Sequence, residues 1–259
     1  PDVLFEAISS LQVELVLTRH PTEIARRTLL QKHNRIASIL GELDRSELTH
    51  MEREELHEAL RGEITSIWLT DEVRSQRPTP IDEARTDFAF FEGVLWDSIP
   101  RFLRTLNHSL RKIMGKSLPI GATPIRFCTW TGGDRDGNPN VTPANTREVC
   151  LQAKWVALNL YEQEVHALQN ELSLVTCNPE LRERTGGVRE PYRELMKEIR
   201  SRLLLSISSI EAKLEGRQAV ESDVYHKAEE LMEPLMLSYR SLQEARAEAV
   251  ADGRLLDLI

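Results

Sequence analysis

The stretch ELVLTRHPTEIARR, from Glu14 to Arg27, decides how this chain is organised. Its first half is a short apolar run bounded by polar residues, which is typical of a strand. Pro21 ends that run, and proline is favoured in the first turn of a helix, so the stretch predicts a strand, a bend and a helix in succession. The residue before a proline is pushed out of helical geometry. We therefore expect His20 at the end of the strand, with its imidazole free to face a ligand.

Two further features of this stretch have to be weighed. A single histidine before a proline also has a structural interpretation, in which its ring donates a hydrogen bond to a nearby carbonyl. Arg26 and Arg27 follow in the second turn of the predicted helix. The helix macrodipole disfavours unpaired positive charge there, so the two arginines indicate a bound anion or carboxylate partners.

Composition limits the classes of function. The 259 residues are enough for one large or two ordinary domains with a sizeable core. Forty-one acidic and thirty-three basic residues give a net charge of −8, which argues against a nucleic-acid partner held by bulk phosphate attraction. The three cysteines show no CxxC spacing and favour neither a disulfide framework nor a zinc site, so a reducing compartment fits best.

The ends of the chain and its apolar runs bear on location. No apolar run approaches the roughly 18 residues of a membrane span, and no secretory signal opens the chain, so we expect a cytoplasmic protein without a membrane partner. The chain begins at Pro1 and ends in the apolar residues 255–259. We expect that end to be exposed, which would indicate a piece of a longer protein.

Most of the chain has helical periodicity. A helix is predicted over Asp2 to Leu11 and a strand over Val13 to Thr18, and Pro100 is expected to bend or end a later helix. The organisation we expect is a single unit with a first strand and HPTE motif at 13–27, helices at 28–118, a second strand and loop at 124–140, and helices at 142–259. The fold class is mostly α with a few short parallel strands.

The second informative stretch follows the strand predicted from Ile125 to Trp130. It is the glycine-rich loop GGDRDGNP at 132–139. In a binding loop, the backbone N–H groups of Gly132 and Gly133 would face an anion, with Arg135 adding a guanidinium fork. The carboxylates that would orient this arginine are Asp134 and Asp136.

This loop also has simpler interpretations. In one, it is a tight surface turn whose two aspartates cap backbone amides. A calcium loop counted from Asp134 needs glycine and glutamate where Pro139 and Asn145 stand, so that interpretation is disfavoured. Trp130, at the start of the loop, is a residue type most often found in a core.

Three motifs together resemble one family. VLTRHPTE at 16–23 is similar to the VLTAHPTE signature of phosphoenolpyruvate carboxylase, and WTGGDRDGNP at 130–139 is similar to that family's WMGGDRDGNP segment. The intervening TDEVRSQRPTPIDEAR at 70–85 also looks like the family's. HPTE alone is weak evidence, but the three motifs in this order and at these separations are specific.

The resemblance implies an enzyme, a carbon-carbon lyase, built on an α/β barrel embellished with helices, of which this chain would be a part. The family is usually a cytoplasmic homotetramer that depends on Mg²⁺ or Mn²⁺. Its substrates are phosphoenolpyruvate and bicarbonate. Bicarbonate attacks the phosphorus, giving carboxyphosphate and the enolate of pyruvate. Carboxyphosphate then releases carbon dioxide, which the enolate captures as oxaloacetate.

The resemblance also implies roles for residues. His20 would take the carboxyphosphate proton, a task suited to an imidazole whose pKa lies near neutrality. Trp130 would wall the pocket and keep water from the enolate. The family's arginines for phosphorylated allosteric effectors match Arg26, Arg27 and Arg74. The residues that hold the metal, and the family's phosphate loop, match nothing in this chain, so the chain alone is expected to be inactive.

Two departures from the family pattern leave alternatives open. Arg19 stands where the family has alanine, and Thr131 stands where methionine is usual. A guanidinium beside His20 could lower the pKa of the imidazole by repulsion, or it could face away, since neighbouring residues on a strand point to opposite sides. A non-catalytic regulatory or scaffolding relative that retains an anionic effector site is the main alternative function. An unrelated helical interaction module would require the three motif matches to be accidental.

Overall fold

In a computed structural model, the structure describes residues 2–18, 27–45, 47–70 and 79–259, with the backbone alone at 27 and 30. The described part is mostly helical, with one small parallel sheet. In chain order its principal elements are α1 (Asp2–Ser9), β1 (Val13–Leu17), α2 (Arg27–Leu43), α3 (His50–Trp68), α4 (Pro80–Phe90), α5 (Trp96–Met114), β2 (Ile125–Thr129), α6 (Pro143–Glu171), α7 (Pro179–Arg184), α8 (Pro191–Leu214), α9 (Ala228–Glu244), α10 (Glu248–Val250) and α11 (Leu256–Leu258).

The hydrophobic core lies between the long helices of the second half of the chain. Helices α6 and α8 make the most extensive contact, and α9 and the final short helices close over them. Each contributes an apolar stripe at helical spacing, as the periodicity predicts. Fully buried members of this core are Val165 of α6, Leu195, Met196, Ile199 and Leu203 of α8, and Leu235 and Leu242 of α9.

A buried cap ties α7 to this core. Asn178 precedes α7, and its Oδ1 accepts a hydrogen bond from the backbone N–H of Leu181 at 2.9 Å. The backbone N–H of Asn178 donates to Ser241 Oγ of α9, also at 2.9 Å, and the same hydroxyl lies 2.7 Å from the Tyr192 hydroxyl of α8. This buried cluster of hydrogen bonds thus caps the first turn of α7. It also connects α7, α8 and α9 to one another.

The parallel sheet lies outside the core. Strands β1 and β2 pair in register from Val13 opposite Ile125 to Leu17 opposite Thr129. Parallel strands are normally buried on both faces. Here the apolar side chains of β1 are substantially exposed, with 44% of Leu15 accessible. Both strands agree with the sequence prediction, which assigned each of them one residue more.

Helices α2 and α3 form an antiparallel hairpin that stands apart from the core. They contact each other closely, and α3 has no buried residue. Arg35 of α2 joins Glu63 of α3 in an ion pair at 2.7 Å. Trp68, at the end of α3, is almost fully exposed.

Pro100 does not end its helix. Helix α4 passes through a π-helical turn at Phe91–Leu95 directly into α5, and Pro100 lies inside α5. The wide turn, in which the Trp96 N–H bonds to the Phe91 carbonyl, is where the helix departs from regular geometry. Proline removes one helical hydrogen bond, and the helix departs from regular geometry just before Pro100 rather than ending there.

The apolar chain end is not exposed, contrary to the sequence-based expectation. Leu255 is fully buried and Leu258 nearly so, both within the helical core. Asp257 between them pairs with Arg104 of α5 at 2.5 Å. Leu255 and Leu258 therefore face the core, whereas Asp257 lies on the outer side, where it pairs with Arg104.

Candidate functional site

The two strands end together. Leu17, the last residue of β1, lies opposite Thr129, the last residue of β2. Because parallel strands present their carboxyl ends at the same edge of a sheet, the chain leaves both strands at one edge. On β2 it runs directly into the glycine-rich loop. The prediction of short parallel strands is therefore confirmed, and the two strands end side by side.

The loop begins with a tight turn. The backbone N–H groups of Gly133 and Asp134 both donate to the Trp130 carbonyl at 2.9 Å. Farther along, Asn138 N–H bonds to the Arg135 carbonyl and Val141 N–H to the Asn138 carbonyl, both at 3.2 Å. Such successive backbone bonds give the loop a defined conformation without a ligand.

Gly132 joins the loop to helix α6. It has a φ of +76°, and a Cβ built at this position would lie 2.6 Å from Val149 Cγ2 of α6. Its carbonyl accepts a hydrogen bond from the Thr146 hydroxyl of α6 at 2.7 Å. Only glycine fits both the left-handed conformation and the close approach to the helix.

Helix α4 holds the loop from the other side. Asp87 Oδ2 accepts the Thr129 hydroxyl at 3.0 Å and the Thr131 hydroxyl at 2.6 Å. The Thr129 hydroxyl oxygen in turn accepts the Thr131 backbone N–H at 3.0 Å. Behind this cluster the Phe91 ring meets the Phe127 ring edge-on, with centroids 5.8 Å apart. The start of the loop is thus fixed by polar and aromatic contacts to one helix.

Trp130 stands between the two bonded threonines with 61% of its surface accessible. The interpretation of this residue as part of the core is therefore wrong. An indole that is exposed while its neighbours on both sides are anchored is available to form one wall of a pocket.

The charged residues of the loop are all exposed. Asp134 Oδ1 accepts the backbone N–H of Asp136 at 3.0 Å, which is the amide-capping turn considered as a simpler interpretation. Within the described part of the chain, the Arg135 guanidinium has neither an ion pair nor a hydrogen bond to Asp134 or Asp136. Because the Gly133 N–H donates to the Trp130 carbonyl, it does not face an anion in this structure. The roles predicted for Gly132, Arg135 and these aspartates in binding stay predictions.

A thiol lies on the opposite face of the sheet. Cys128 of β2 donates a hydrogen bond to Glu14 Oε1 of β1 at 3.2 Å. This bond to a carboxylate, together with partial burial and the carboxylate charge, raises the pKa of the Cys128 thiol above its usual value. The bond from Cys128 to Glu14 thus adds a side-chain link between the two strands.

Several predicted site residues cannot be placed. His20, Arg26 and Arg74 lie outside the described residues, as does Arg19. Arg27 is the first residue of α2, and the structure describes only its backbone. Thr18 directly follows β1, so the described chain reaches to two residues before His20.

Asp87 was missed by sequence reasoning, as were its two threonine partners. The apolar residues at helical spacing in this segment, which include Phe88 and Phe91, give no indication of a role for a polar residue between them. Asp87 is separated from Thr129 by 42 positions and from Thr131 by 44, and no periodicity links residues so far apart. The sequence contains only one weak indication of this cluster, which is that two hydroxyl residues flank a tryptophan at the end of a strand.

In the described residues, no helix is both long and apolar enough to cross a membrane. Within the same residues, no group of three or more His, Cys, Asp or Glu side chains is placed to bind a metal ion.

The fold and the loop define a mostly helical protein with a small parallel sheet and a glycine-rich loop at the carboxyl end of its strands. Over residues 1–259 the sequence matches the family described as phosphoenolpyruvate carboxylase, and the chain belongs to that family. It is 45% identical to a phosphoenolpyruvate carboxylase of Hahella chejuensis, 46% to one of Serratia proteamaculans and 45% to one of Marinobacter nauticus. These alignments cover 99–100% of this chain but 29–30% of each relative.

Proposed function

We propose that this chain is part of a phosphoenolpyruvate carboxylase, a carbon-carbon lyase that converts phosphoenolpyruvate and bicarbonate to oxaloacetate and phosphate. The observation that carries the proposal is the family match over residues 1–259, which includes the HPTE, RPTP and GGDRDGNP motifs. The chain spans about three tenths of the length of its relatives, so the reaction belongs to a longer polypeptide.

The arrangement of the strands supports this function. The chain leaves β1 at Leu17, three positions before His20, and leaves β2 just before the glycine-rich loop, and both exits lie at one edge of the sheet. This is where α/β proteins gather their chemistry. We place His20 there as the residue that takes the carboxyphosphate proton, because a neutral imidazole accepts one proton near pH 7.

The loop supplies binding and exclusion of water. The exposed Trp130 indole forms a wall beside the substrate and limits access of water to the enolate. Arg135 and the N–H group of Gly132 would face the anionic substrate, while Gly133 shapes the turn through its bond to the Trp130 carbonyl. Asp134 and Asp136 would orient the arginine when the substrate is bound. The exposure of Arg135 in the described structure leaves it available for this contact.

The exposure of the sheet supports the proposal that this chain is part of a larger domain. Strand β1 presents apolar side chains to solvent, and its pairing with β2 leaves its other edge without a partner strand in the described residues. Further strands of the longer polypeptide would cover these side chains and continue the sheet as part of an α/β barrel. The chain would then be one fragment of a larger domain.

The remaining features follow from the family. The Mg²⁺ or Mn²⁺ would be bound by residues outside the described part, which lacks a fitting ligand set. Arg26, Arg27 and Arg74 would bind phosphorylated allosteric effectors. We expect the complete protein to be a cytoplasmic homotetramer, without nucleic-acid or membrane partners.

The test compares the longer polypeptide with this chain alone, measuring oxaloacetate and phosphate separately with phosphoenolpyruvate, bicarbonate and Mg²⁺. We expect the longer polypeptide to form both products and the isolated chain to form neither. His20→Asn should lower oxaloacetate formation by at least about 10²-fold, since general acid-base groups contribute that much, while release of phosphate is retained.

His33→Asn is the matched control, because His33 is exposed on α2 and its side chain has no hydrogen bond within the described residues. Its activity should equal that of the unsubstituted protein. Oxaloacetate production by the isolated chain, or full activity of His20→Asn, would contradict the proposal.

A non-catalytic scaffolding relative is the second candidate, and Arg19 is the residue that favours it. Under that alternative the longer polypeptide binds a phosphorylated effector but forms no oxaloacetate. If Arg19 impairs His20, Arg19→Ala should restore carboxylation.

A further inference from the structure

One carboxylate secures both sides of Trp130. Asp87 Oδ2 accepts hydrogen bonds from the hydroxyls of Thr129 and Thr131, the residues immediately before and after the tryptophan. The Thr131 backbone N–H closes the cluster by donating to the Thr129 hydroxyl. Hydrogen bonds to an ionised acceptor are stronger than neutral ones, and bonds that share atoms reinforce one another.

We propose that Asp87 is a positioning residue that sets the direction of the Trp130 indole at the substrate pocket. This inference rests on the proposed function, in which Trp130 walls that pocket. Trp130 itself is exposed and has no ring contact of its own in the described structure, so its backbone has to be fixed through its neighbours.

Asp87 is held firmly enough to serve as this anchor. Helix α4 begins with a capping box in which Thr79 and Asp82 bond reciprocally, and Ala84 on its inner side is fully buried. Arg85 Nε donates to Gln152 Oε1 of α6 at 3.2 Å. The helix that carries Asp87 is therefore attached to the helix that holds the other side of the loop.

Both attachments act on one short segment. Helix α4 fixes residues 129 and 131 through Asp87, and α6 fixes Gly132 through Thr146 and through close packing on Val149. Thr131 departs from the methionine of the family pattern, and methionine has no hydroxyl to donate. The threonine therefore has a chemical role here as a partner of Asp87.

Loss of this anchor has a defined chemical consequence. An indole that moves away admits water to the enolate, which then takes a proton and becomes pyruvate instead of attacking carbon dioxide. Phosphate is still released, because carboxyphosphate has already formed and decomposed. The oxaloacetate formed per phosphate released therefore reports the position of Trp130 more directly than total turnover does.

The experiment uses Asp87→Ala, Asp87→Asn, Thr131→Val and the Asp87→Ala/Thr131→Val pair in the longer polypeptide. We expect Asp87→Ala to lower kcat for oxaloacetate about tenfold and to lower the oxaloacetate-to-phosphate ratio, with KM for phosphoenolpyruvate changed less than about twofold. Asp87→Asn should recover most of the ratio, because an amide oxygen still accepts both hydroxyls. The paired variant should be no worse than Asp87→Ala, since both changes break the same bond.

Asp97→Ala is the matched control. Asp97 is an exposed aspartate in the first turn of α5, without a hydrogen bond or ion pair in the described residues. It should leave the product ratio and kcat unchanged.

Amide hydrogen exchange of the peptide covering 129–141 is a readout independent of activity, and Asp87→Ala should accelerate it. If the longer polypeptide makes no oxaloacetate, the proposed function fails while this exchange still tests the anchor. The inference is wrong if Asp87→Ala leaves both the product ratio and the exchange unchanged. Should Asp87→Ala reduce helix content, Thr131→Val decides by the same readouts, because it removes a donor without altering α4.

Discussion

Gly132 combines two constraints on a single residue. Its φ of +76° lies in the left-handed region, and the space for a side chain is occupied by Val149 of α6. The first constraint concerns the backbone of one residue, whereas the second comes from a helix that begins eleven positions later. Glycine is therefore required at position 132 by packing against α6 as well as by turn geometry.

We expect Gly132→Ala to lower the free energy of unfolding by about 1–3 kcal/mol, because the methyl group adds both backbone strain and a contact of 2.6 Å. Urea unfolding of the isolated chain measures this change. Gly137→Ala is a partial control, since Gly137 has a φ of +66° but open space around it, and should cost about 1 kcal/mol.

Gly133→Ala separates the two causes further. Gly133 has no positive φ, and the nearest atom to an added Cβ is the Trp130 carbonyl oxygen at 3.7 Å, which is ordinary contact. Its effect should stay within about 0.5 kcal/mol. Equal losses at 132 and 133 would contradict the argument from Val149.

At the scale of the elements, the connection between α8 and α9 is secured by Tyr225. Its backbone N–H donates to Ser206 Oγ of α8 at 2.8 Å, and its carbonyl accepts Lys154 Nζ of α6 at 2.9 Å. The Arg202 guanidinium lies 4.2 Å from the ring centroid. Tyr225, in the connection from α8 to α9, thus bonds to both α6 and α8.

Burial raises the pKa of Tyr225 to about 12, although Arg202 opposes the shift. The unfolded chain releases this proton near pH 10, so between about pH 10 and 12 the folded state binds more protons than the unfolded state. Stability from this group is complete below pH 10 and is lost as the pH rises through 12.

The stability difference between the unsubstituted chain and Tyr225→Phe isolates this effect, because the other titrating groups are common to both. We expect the difference to be constant up to about pH 9.5 and to shift against the unsubstituted chain by roughly 2 kcal/mol by pH 12. Urea unfolding at a series of pH values measures it. Parallel stability curves for the two proteins would show that Tyr225 has an ordinary pKa.

At the scale of the whole molecule, burial is unevenly distributed. The largest buried side chains belong to α6–α9 and the final short helices, whereas α3 buries none and β1 exposes its apolar residues. Hydrophobic stabilisation is roughly proportional to the apolar area removed from water. The second half of the described chain therefore carries most of the stability of the fold.

Amide hydrogen exchange followed by mass spectrometry tests this distribution. We expect peptides of α6 and α8 to exchange by global unfolding and to show the highest protection. Peptides of α3 should exchange by local opening, with protection at least about tenfold lower, because few buried contacts oppose it. Addition of urea below the unfolding transition should accelerate α6 and α8 strongly and α3 little. Equal protection in both regions would contradict this description.

Much of the architecture could be predicted locally. Apolar periodicity located the long helices, and β-branched and apolar runs located both strands to within a residue. Proline and glycine marked several of the boundaries, although Pro100 lies inside α5. The helices expected from position 142, for example, do begin there with α6, because capping by Thr142 and the geometry of Pro143 depend on adjacent residues. The order of motifs also identified the family.

The sequence by itself determined the elements, the glycine-rich loop and the family, since each depends on the chemistry of neighbouring residues. Tertiary structure decided that Asp87 meets Thr129 and Thr131, that Trp130 is exposed rather than buried, and that the apolar end from Leu255 is enclosed. These outcomes depend on which helix faces which strand. That choice is made by packing across tens of residues, and no local pattern encodes it.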